Sequence, residues 1–595
     1  MPAKEWCFRL GILSLLFSVF LFNSTINDGI LGIKEIGLWT AVALFALFSL
    51  ITFCSCYKFA FPRIAGIDLA VCFYLLVWPL CYLFKDDASK LAILHQLAYA
   101  CLYFSIRIIA AVNAPSYIIR CVLEGLIFVL IFQLLVALCQ ILGIFPSSNS
   151  NFKVTGTFFN PGPFGIYIAA LLPPVYMLLI NKGRHIVLLL ILLAIGMFFV
   201  LYSFSRSAWI GLLIGMIVIV LINNKPLFFQ VKSKLSPVRG VFMAGALLLV
   251  SWWLFRVKAA SGIGRILIWR SSWLLIKRNF FTGVGPGKFA VSYADCQSDF
   301  LRTCNNSYFT HLAGDVRYAF NDFLQVFAES GLIGVVSYVI IVFGVLKLLL
   351  KQVSGNHKKP DRAFVLGLLG SFIVIICSGC SSYPMQLPPV YTLFWVLTGV
   401  VVSLDRSPRP VLSFKTTSFG LAGAAVFFLL IASGGYLLLQ INGYNNWDSL
   451  KKDTDTKKWE KISAGNFILK ENPIFLCDMA GRYMTNKKYR EAGLCYKAAE
   501  SLSPDKQINY AAAHCYTQAA WYNDAVAQYE TLVGRYPNLL QPRYELAVLF
   551  YNTGELKEFR YWAKEVLDFM PKSNSSETGS MKEDIAFKLR NSRTE

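Results

Sequence analysis

The sequence is short of the residues that a soluble protein needs on its surface. Of its 595 residues only 15% are charged, against 56% hydrophobic. With a mean hydropathy of +0.54, too little polar surface remains to cover a water-exposed core, which excludes a soluble globular protein and implies a polytopic membrane protein. Acidic residues are scarce: 34 Asp and Glu stand against 56 Lys and Arg, for a formal charge of +22. The basic excess lies in short patches between apolar runs, not on one amphipathic face or arm. No nucleic-acid partner is therefore expected, and the patches read as topology determinants. The 15 cysteines show no CxxC…CxxC or Cys/His spacing, so no metal site is expected. Cys377 and Cys380 alone have the CxxC gap, at a helix end, and most of the others read as small packing residues. Cys296 and Cys304 stand apart in a polar loop, where a disulfide is allowed if that loop is extracytoplasmic. "GVGPG", Gly283 to Gly287, lacks the Lys-Ser/Thr of a P-loop and follows no soluble strand, so it is read as a tight turn. No small-x-small cleavage site follows the apolar run Leu10 to Phe22, which is read as a retained first span and not a signal peptide.

Apolar runs of spanning length fall near 8–23, 36–53, 66–84, 92–112, 117–142, 164–181, 185–203, 207–223, 240–256, 331–350, 363–380, 389–404 and 418–440, which predicts an all-α fold with about 12–13 transmembrane helices. With the N-terminus inside, the cytoplasmic loops collect Lys58, Arg63, Arg107, Arg120, Lys182, Arg184, Lys225, Lys232, Lys234, Arg239, Lys351, Lys358, Lys359, Arg362, Arg406, Arg409 and Lys415. The other side holds little beyond Lys34, Lys85, Lys90, Lys153 and Arg206, which sets the orientation. A membrane domain over 1–440 is expected, with a large outer loop at 257–330, followed by a helical domain over 441–595 that is also outside the cytoplasm. Three tail segments end in Pro504, Pro537 and Pro571, close to the roughly 34-residue period of a tetratricopeptide repeat. Ala480, Ala513 and Ala547 fall at equivalent positions, followed by Tyr483, Tyr516 and Phe550; Ala492 and Ala525 come next, then Tyr496 and Tyr529. The pattern predicts an α-solenoid whose concave face would dock a protein partner, or one that only caps the membrane part.

Chemistry-bearing residues gather at the outer ends of the spans. Arg206, in "LYSFSRSAWIG", has almost no loop to leave it in solvent. The outer loop begins with Arg265 and Arg270, five residues apart, and Trp269 and Trp273, four apart. An amphipathic helix on the membrane surface would have this pattern. The alternative is that Arg206, Arg265 and Arg270 converge on a diphosphate, since guanidinium forks bind phosphate oxygens bidentately. In "RYAFNDFLQVFAESGLIG", after Arg317, the residues Asn321, Asp322, Gln325 and Glu329 largely share one helical face just ahead of an apolar run. Helix capping by Asn321 or Asp322 is the plain reading of the first two.

"GTFFNPGPFGIYIAALLPP" (Gly156–Pro174), "SFSRSAWIGLLIG" (Ser203–Gly215), "R-x3-WRSSW…FTGVGPGKF" from Arg265 and "AFNDFLQVFAESGLIG" (Ala319–Gly334) follow in order. Together they resemble the blocks of the O-antigen ligase and O-antigen polymerase superfamily, which includes bacterial O-linked oligosaccharyltransferases, some with tetratricopeptide tails. The resemblance covers roughly Thr155 to Thr398. It implies a GT-C-type glycosyltransferase of a bacterial inner membrane, needing no metal or other cofactor. Such an enzyme moves a glycan, with inversion, from an undecaprenyl diphosphate carrier to a hydroxyl of lipid A-core, a glycan or a protein. Arg206 and Arg265 match the family arginines thought to hold the diphosphate, Arg270 is expected to join them there, and Arg317 and Asn321 are supporting residues. One block departs from the family pattern: where relatives commonly have His before the Asn, this chain has Phe320, which cannot accept a proton. Asp322, Glu329 and His311, in that order, are the remaining bases for acceptor activation. A transporter of lipid-linked glycans and a membrane-anchored scaffold are the rival classes; no inverted repeat or paired broken helices favour the transporter.

Overall fold

A computed structural model describes residues 3–15, 21, 29–55, 65–84, 89–181, 185–224, 259–304, 307–354, 359–405, 419–451, 453, 455–570 and 576–592. Among the described residues every regular element is helical. The chain divides into two compact units, one of Met1–Asp86, Lys90–Val257 and Phe320–Asn442, the other of Asp87–Ser89, Lys258–Ala319 and Gly443–Glu595. The loop that the sequence assigns to the membrane domain thus groups with the tail.

Among the described residues, eight helices are long and apolar enough to cross a membrane: 32–52, 90–111, 115–141, 161–180, 206–223, 322–354, 361–379 and 426–450; shorter apolar helices run over 66–80, 186–202 and 388–404. Against the expected 12–13 spans, the described residues hold these eight long helices and three shorter ones. The run near 240–256 lies outside the described residues, and of the run near 8–23 the helix Ala3–Leu15 is described. Helices, and not isolated strands, form here because a backbone in lipid must satisfy its own N–H and C=O groups. Several begin with proline in the first turn, at Pro115, Pro161 and Pro388, where the missing N–H costs nothing. This is a multi-pass membrane protein.

Two basic residues counted as loop charges are instead internal. Lys34 lies in the helix Gly29–Ser55, is 2% exposed, and donates to Thr157 Oγ1 at 3.1 Å. Arg107 is buried in a two-pronged pair with Asp68, Nε to Oδ1 and Nη2 to Oδ2, both at 2.9 Å, and the Tyr103 hydroxyl donates to the same carboxylate at 2.7 Å. Both correct the sequence reading: a charge at membrane depth is tolerated when its bonding groups are met inside the protein. One basic residue leaves each side of the loop count, so the asymmetry behind the expected orientation is unchanged. Lys58, Arg63, Lys85, Lys182, Arg184, Lys225, Lys232, Lys234, Arg239, Lys358, Arg406, Arg409 and Lys415 lie outside the described residues.

In the second unit the loop forms the helices Ala259–Arg278, Phe289–Thr303 and Ser307–Leu312. The tail runs through successive helices from Thr456–Gly465 to Ser576–Asn591; from Pro473 onward each packs on the next. The repeated small residues Ala480, Ala492, Ala513, Ala525 and Ala547 are fully buried, and Tyr483, Tyr516, Tyr529 and Phe550 are buried beside them. Loop and tail are joined by Arg535, whose nearly buried guanidinium pairs with Asp295 at 2.7 Å and Glu500 at 2.9 Å, and by Gln297, whose amide donates to the Arg535 carbonyl at 3.1 Å. Asn538 donates to the Ala313 carbonyl at 3.0 Å. The "GVGPG" turn has all three glycines at positive φ, 70°, 100° and 70°, the left-handed backbone that favours glycine. The disulfide does not form: Cys296 and Cys304 are both free thiols. Cys296 lies inside the helix Phe289–Thr303 and Cys304 caps it. Eight residues along a helix rise about 12 Å, beyond the ~7 Å limit for bridging Cα atoms. Burial pushes the Cys296 thiol up.

Candidate active site

Two helices of the membrane unit begin with the same device. In one, Phe204 has φ of 49°, Ser205 is the cap and accepts from Ala208 N at 3.4 Å, and Arg206 is the first helical residue. In the other, Phe320 has φ of 51°, Asn321 caps by accepting from Phe323 N and Leu324 N at 3.0 and 3.1 Å, and Asp322 is first. A bulky residue in the left-handed region is uncommon and strained; such strain is concentrated at functional sites. The two charges differ in meaning. Asp322 sits where the helix dipole favours a carboxylate, whereas Arg206 adds positive charge to an already positive helix end, which an anion would relieve.

Both starts meet the same end of a third helix, Lys359–Gly379. Ser378 Oγ donates to the Ser207 carbonyl at 3.1 Å. The next residue, Gly379, leaves room for Asp322: a Cβ there would stand 2.6 Å from Asp322 Oδ2. The one after, Cys380, accepts from Asn321 Nδ2 at 3.0 Å. The chain then turns through Pro384–Gln386, and Met385 N donates to Asp322 Oδ2 at 3.4 Å. Phe320 stands edge-on to Tyr383, with ring centroids 5.1 Å apart, and so braces the turn that holds Asp322. Asp322 is 1% exposed and its Oδ1 has no hydrogen-bond partner. Two turns on, Gln325 Nε2 donates to Glu329 Oε1 at 2.8 Å, both side chains buried. The block Gly156–Pro174 also joins this end, since a Cβ on Gly165 would lie 2.2 Å from Ser203 Oγ.

The remaining predicted residues belong to the other unit. Arg265 is half-buried and Arg270 exposed on the helix Ala259–Arg278. Five residues turn a helix by about 500°, so the two side chains leave about 140° apart and do not form one clamp. Arg270 lies over the Phe309 ring at 5.6 Å, while Trp269 Nε1 donates to the Ala319 carbonyl at 3.1 Å. His311 and Arg317 are exposed. The structure therefore brings Arg206, Asn321, Asp322 and Glu329 into one unit and Arg265, Arg270, His311 and Arg317 into the other. Sequence reasoning missed Ser378, Gly379 and the Tyr383–Met385 turn; the signal was "CSGCSSYP", small residues and a proline between two apolar runs.

A multi-pass helical protein with an arginine and a carboxylate drawn to one end of its bundle is the class that the fold and site define. Residues 187–339 match the model of the O-antigen ligase family. The matched segment contains Arg206, Arg265, Arg270, His311, Arg317, Asn321, Asp322 and Glu329, and it supports an O-antigen ligase or polymerase-like membrane enzyme. No curated protein matches the chain.

Proposed function

We propose that the protein is a glycosyltransferase of the O-antigen ligase type, moving a glycan from an undecaprenyl diphosphate carrier to an acceptor hydroxyl on the periplasmic face of a bacterial inner membrane. The observation that carries this reading is the match over 187–339, whose Arg206 and Asp322 helix starts meet one helix end. In the reaction the acceptor oxygen attacks the anomeric carbon, the bond from that carbon to the diphosphate oxygen breaks, and the configuration inverts. Arg206, already at a positive helix end, takes up the charge that grows on the leaving diphosphate, the largest demand in such a step; Arg265, in the other unit, is the second candidate for that role. Asp322 is the first base for the acceptor proton, with an oxygen not committed to any partner; Glu329 is tied to Gln325, and His311 is third. Arg270 serves as a packing residue against Phe309 more than as a phosphate ligand, and Asn321 holds the helix start. No metal or nucleotide sugar is required.

Lipid A-core, a growing glycan and a protein hydroxyl share this donor and differ only in acceptor. A tetratricopeptide-type tail favours a protein-facing role and so keeps O-linked protein glycosylation beside ligation and polymerisation. Deletion of the gene followed by profiling of surface glycans, glycoproteins and lipid-linked intermediates tests the reading. Loss of one glycan class with accumulation of its lipid-linked precursor is expected. Unchanged profiles would leave a scaffold, and trapping of the precursor on the cytoplasmic side would indicate a transporter.

A further inference from the structure

The second unit contains a cleft of about 730 Å³ between the loop helix Phe289–Thr303 and the tail helices Tyr522–Arg535 and Leu556–Asp568. Its size falls in the range of about 300–1,000 Å³ typical of small-ligand sites. The helices approach closely because Gly534 faces the loop: a Cβ there would stand 2.8 Å from Ser298 Oγ and 3.1 Å from Arg302 Nη2. One wall is aromatic. Tyr561 is 60% exposed, and Trp562 is half-buried beside it, the rings edge-on at 5.1 Å. Lys557 and Glu558 stand one turn earlier on the same helix, and Arg302 and Glu530 come from the other two helices, so that two cations and two carboxylates line the cleft with them. No ion pair joins these four to each other or to any other described residue.

We infer that this cleft binds the glycan, a run of neutral sugar residues, apart from the diphosphate site. The inference rests on the proposed function for its ligand. A sugar ring has an apolar C–H face and a rim of hydroxyls that both donate and accept. The cleft offers the complement: an exposed aromatic platform whose rings lose little conformational freedom, and around it ionised donors and acceptors, which make the stronger hydrogen bonds. Its charges cancel, which disfavours a phosphate or an acidic peptide. The loop helix that forms one side belongs to the same outer segment as Arg265, so one segment would serve both the diphosphate and the chain attached to it.

The test uses full-length protein in detergent and, as probe, the source cell's own surface glycan released by mild acid and therefore free of lipid and diphosphate. Calorimetry should show saturable binding that weakens at least tenfold in Tyr561→Ala and in Arg302→Gln, both exposed positions whose substitution leaves the thermal transition in place. Arg206→Ala should bind the free glycan as the parent does, although it fails in transfer. Absence of saturable binding, or equal binding by both cleft variants, overturns the inference. So does a Ser/Thr-rich peptide that binds in place of the glycan and is lost in the same variants. If the glycan binds as expected but gene deletion leaves surface glycans unchanged, the cleft stands and the transferase reading falls.

Discussion

At the scale of single residues, Arg206 and Asp322 are adjacent to the same helix end yet make opposite demands on it. Arg206 stands at the positive end of its helix dipole, where a cation does not help to hold the helix start. Arg206→Ala should therefore insert and fold normally while losing transfer by about 10²-fold or more, the scale seen when a transition-state charge stabiliser is removed. Arg265→Ala should behave alike, and lysine at either position should rescue poorly because it lacks the two-pronged fork. Near-normal transfer by both alanine variants in membrane vesicles would sink the diphosphate assignment. Asp322 needs a sharper test because it is buried. Asp322→Asn keeps the shape and the contact with Met385 N but cannot take a proton, so turnover should fall by about 10²- to 10⁴-fold with donor affinity unchanged. Gly379→Ala is the structural control: its Cβ would crowd Asp322 Oδ2 at 2.6 Å and should cost about 1–3 kcal/mol of stability through overpacking. Normal turnover in a folded Asp322→Asn protein would pass the search for a base to Glu329 and His311.

At the scale of elements, the docking of the loop helix on the tail is concentrated in Arg535. Its side chain is 8% exposed, as against 12% for Glu500 and 61% for Asp295. Removing one partner of a fully buried pair costs roughly 3–5 kcal/mol. Because Asp295 is largely solvated, about 2 kcal/mol is the better expectation for Arg535→Ala, read as a lower thermal transition and faster proteolysis between Ser307 and Arg317. An unchanged digestion pattern would show that the Gln297 and Asn538 bonds suffice. This contact also marks what was legible in the sequence. Runs of Leu, Ile and Val announced the membrane helices, and the spaced alanines announced buried positions in the tail, because both follow from local periodicity. The helix cap at Asn321 was legible for the same reason. The grouping of loop and tail was not, since Asp295 and Arg535 are 240 residues apart and nothing local couples them. Lys34 and Arg107 misled because a charge near a span end looks alike in sequence whether it faces solvent or, as here, Thr157 and Asp68. The convergence on Ser378 and Gly379 was hidden likewise, for small residues in an apolar run carry no sign of what approaches them.

At the scale of the whole molecule, function depends on which side of the membrane receives the polar segments. With the N-terminus inside, the positive-inside rule puts the loop Val257–Ser330 and the tail after Gln440 outside the cytoplasm, and the count survives the loss of Lys34 from one side and Arg107 from the other. A donor on undecaprenyl diphosphate and an acceptor in the periplasm require that orientation, whereas an ATP-dependent reaction would require the reverse. Alkaline phosphatase, active only after export, should therefore be active when fused after Arg317 or after Glu595 and inactive when fused after Asn224, with green fluorescent protein giving the opposite pattern. Active phosphatase at Asn224 with silent fusions at Arg317 and Glu595 would invert the molecule. The Arg206 and Asp322 helix starts would then face the cytoplasm, where a periplasmic acceptor cannot reach them, and the proposed reaction would have to be abandoned whatever the point mutants showed.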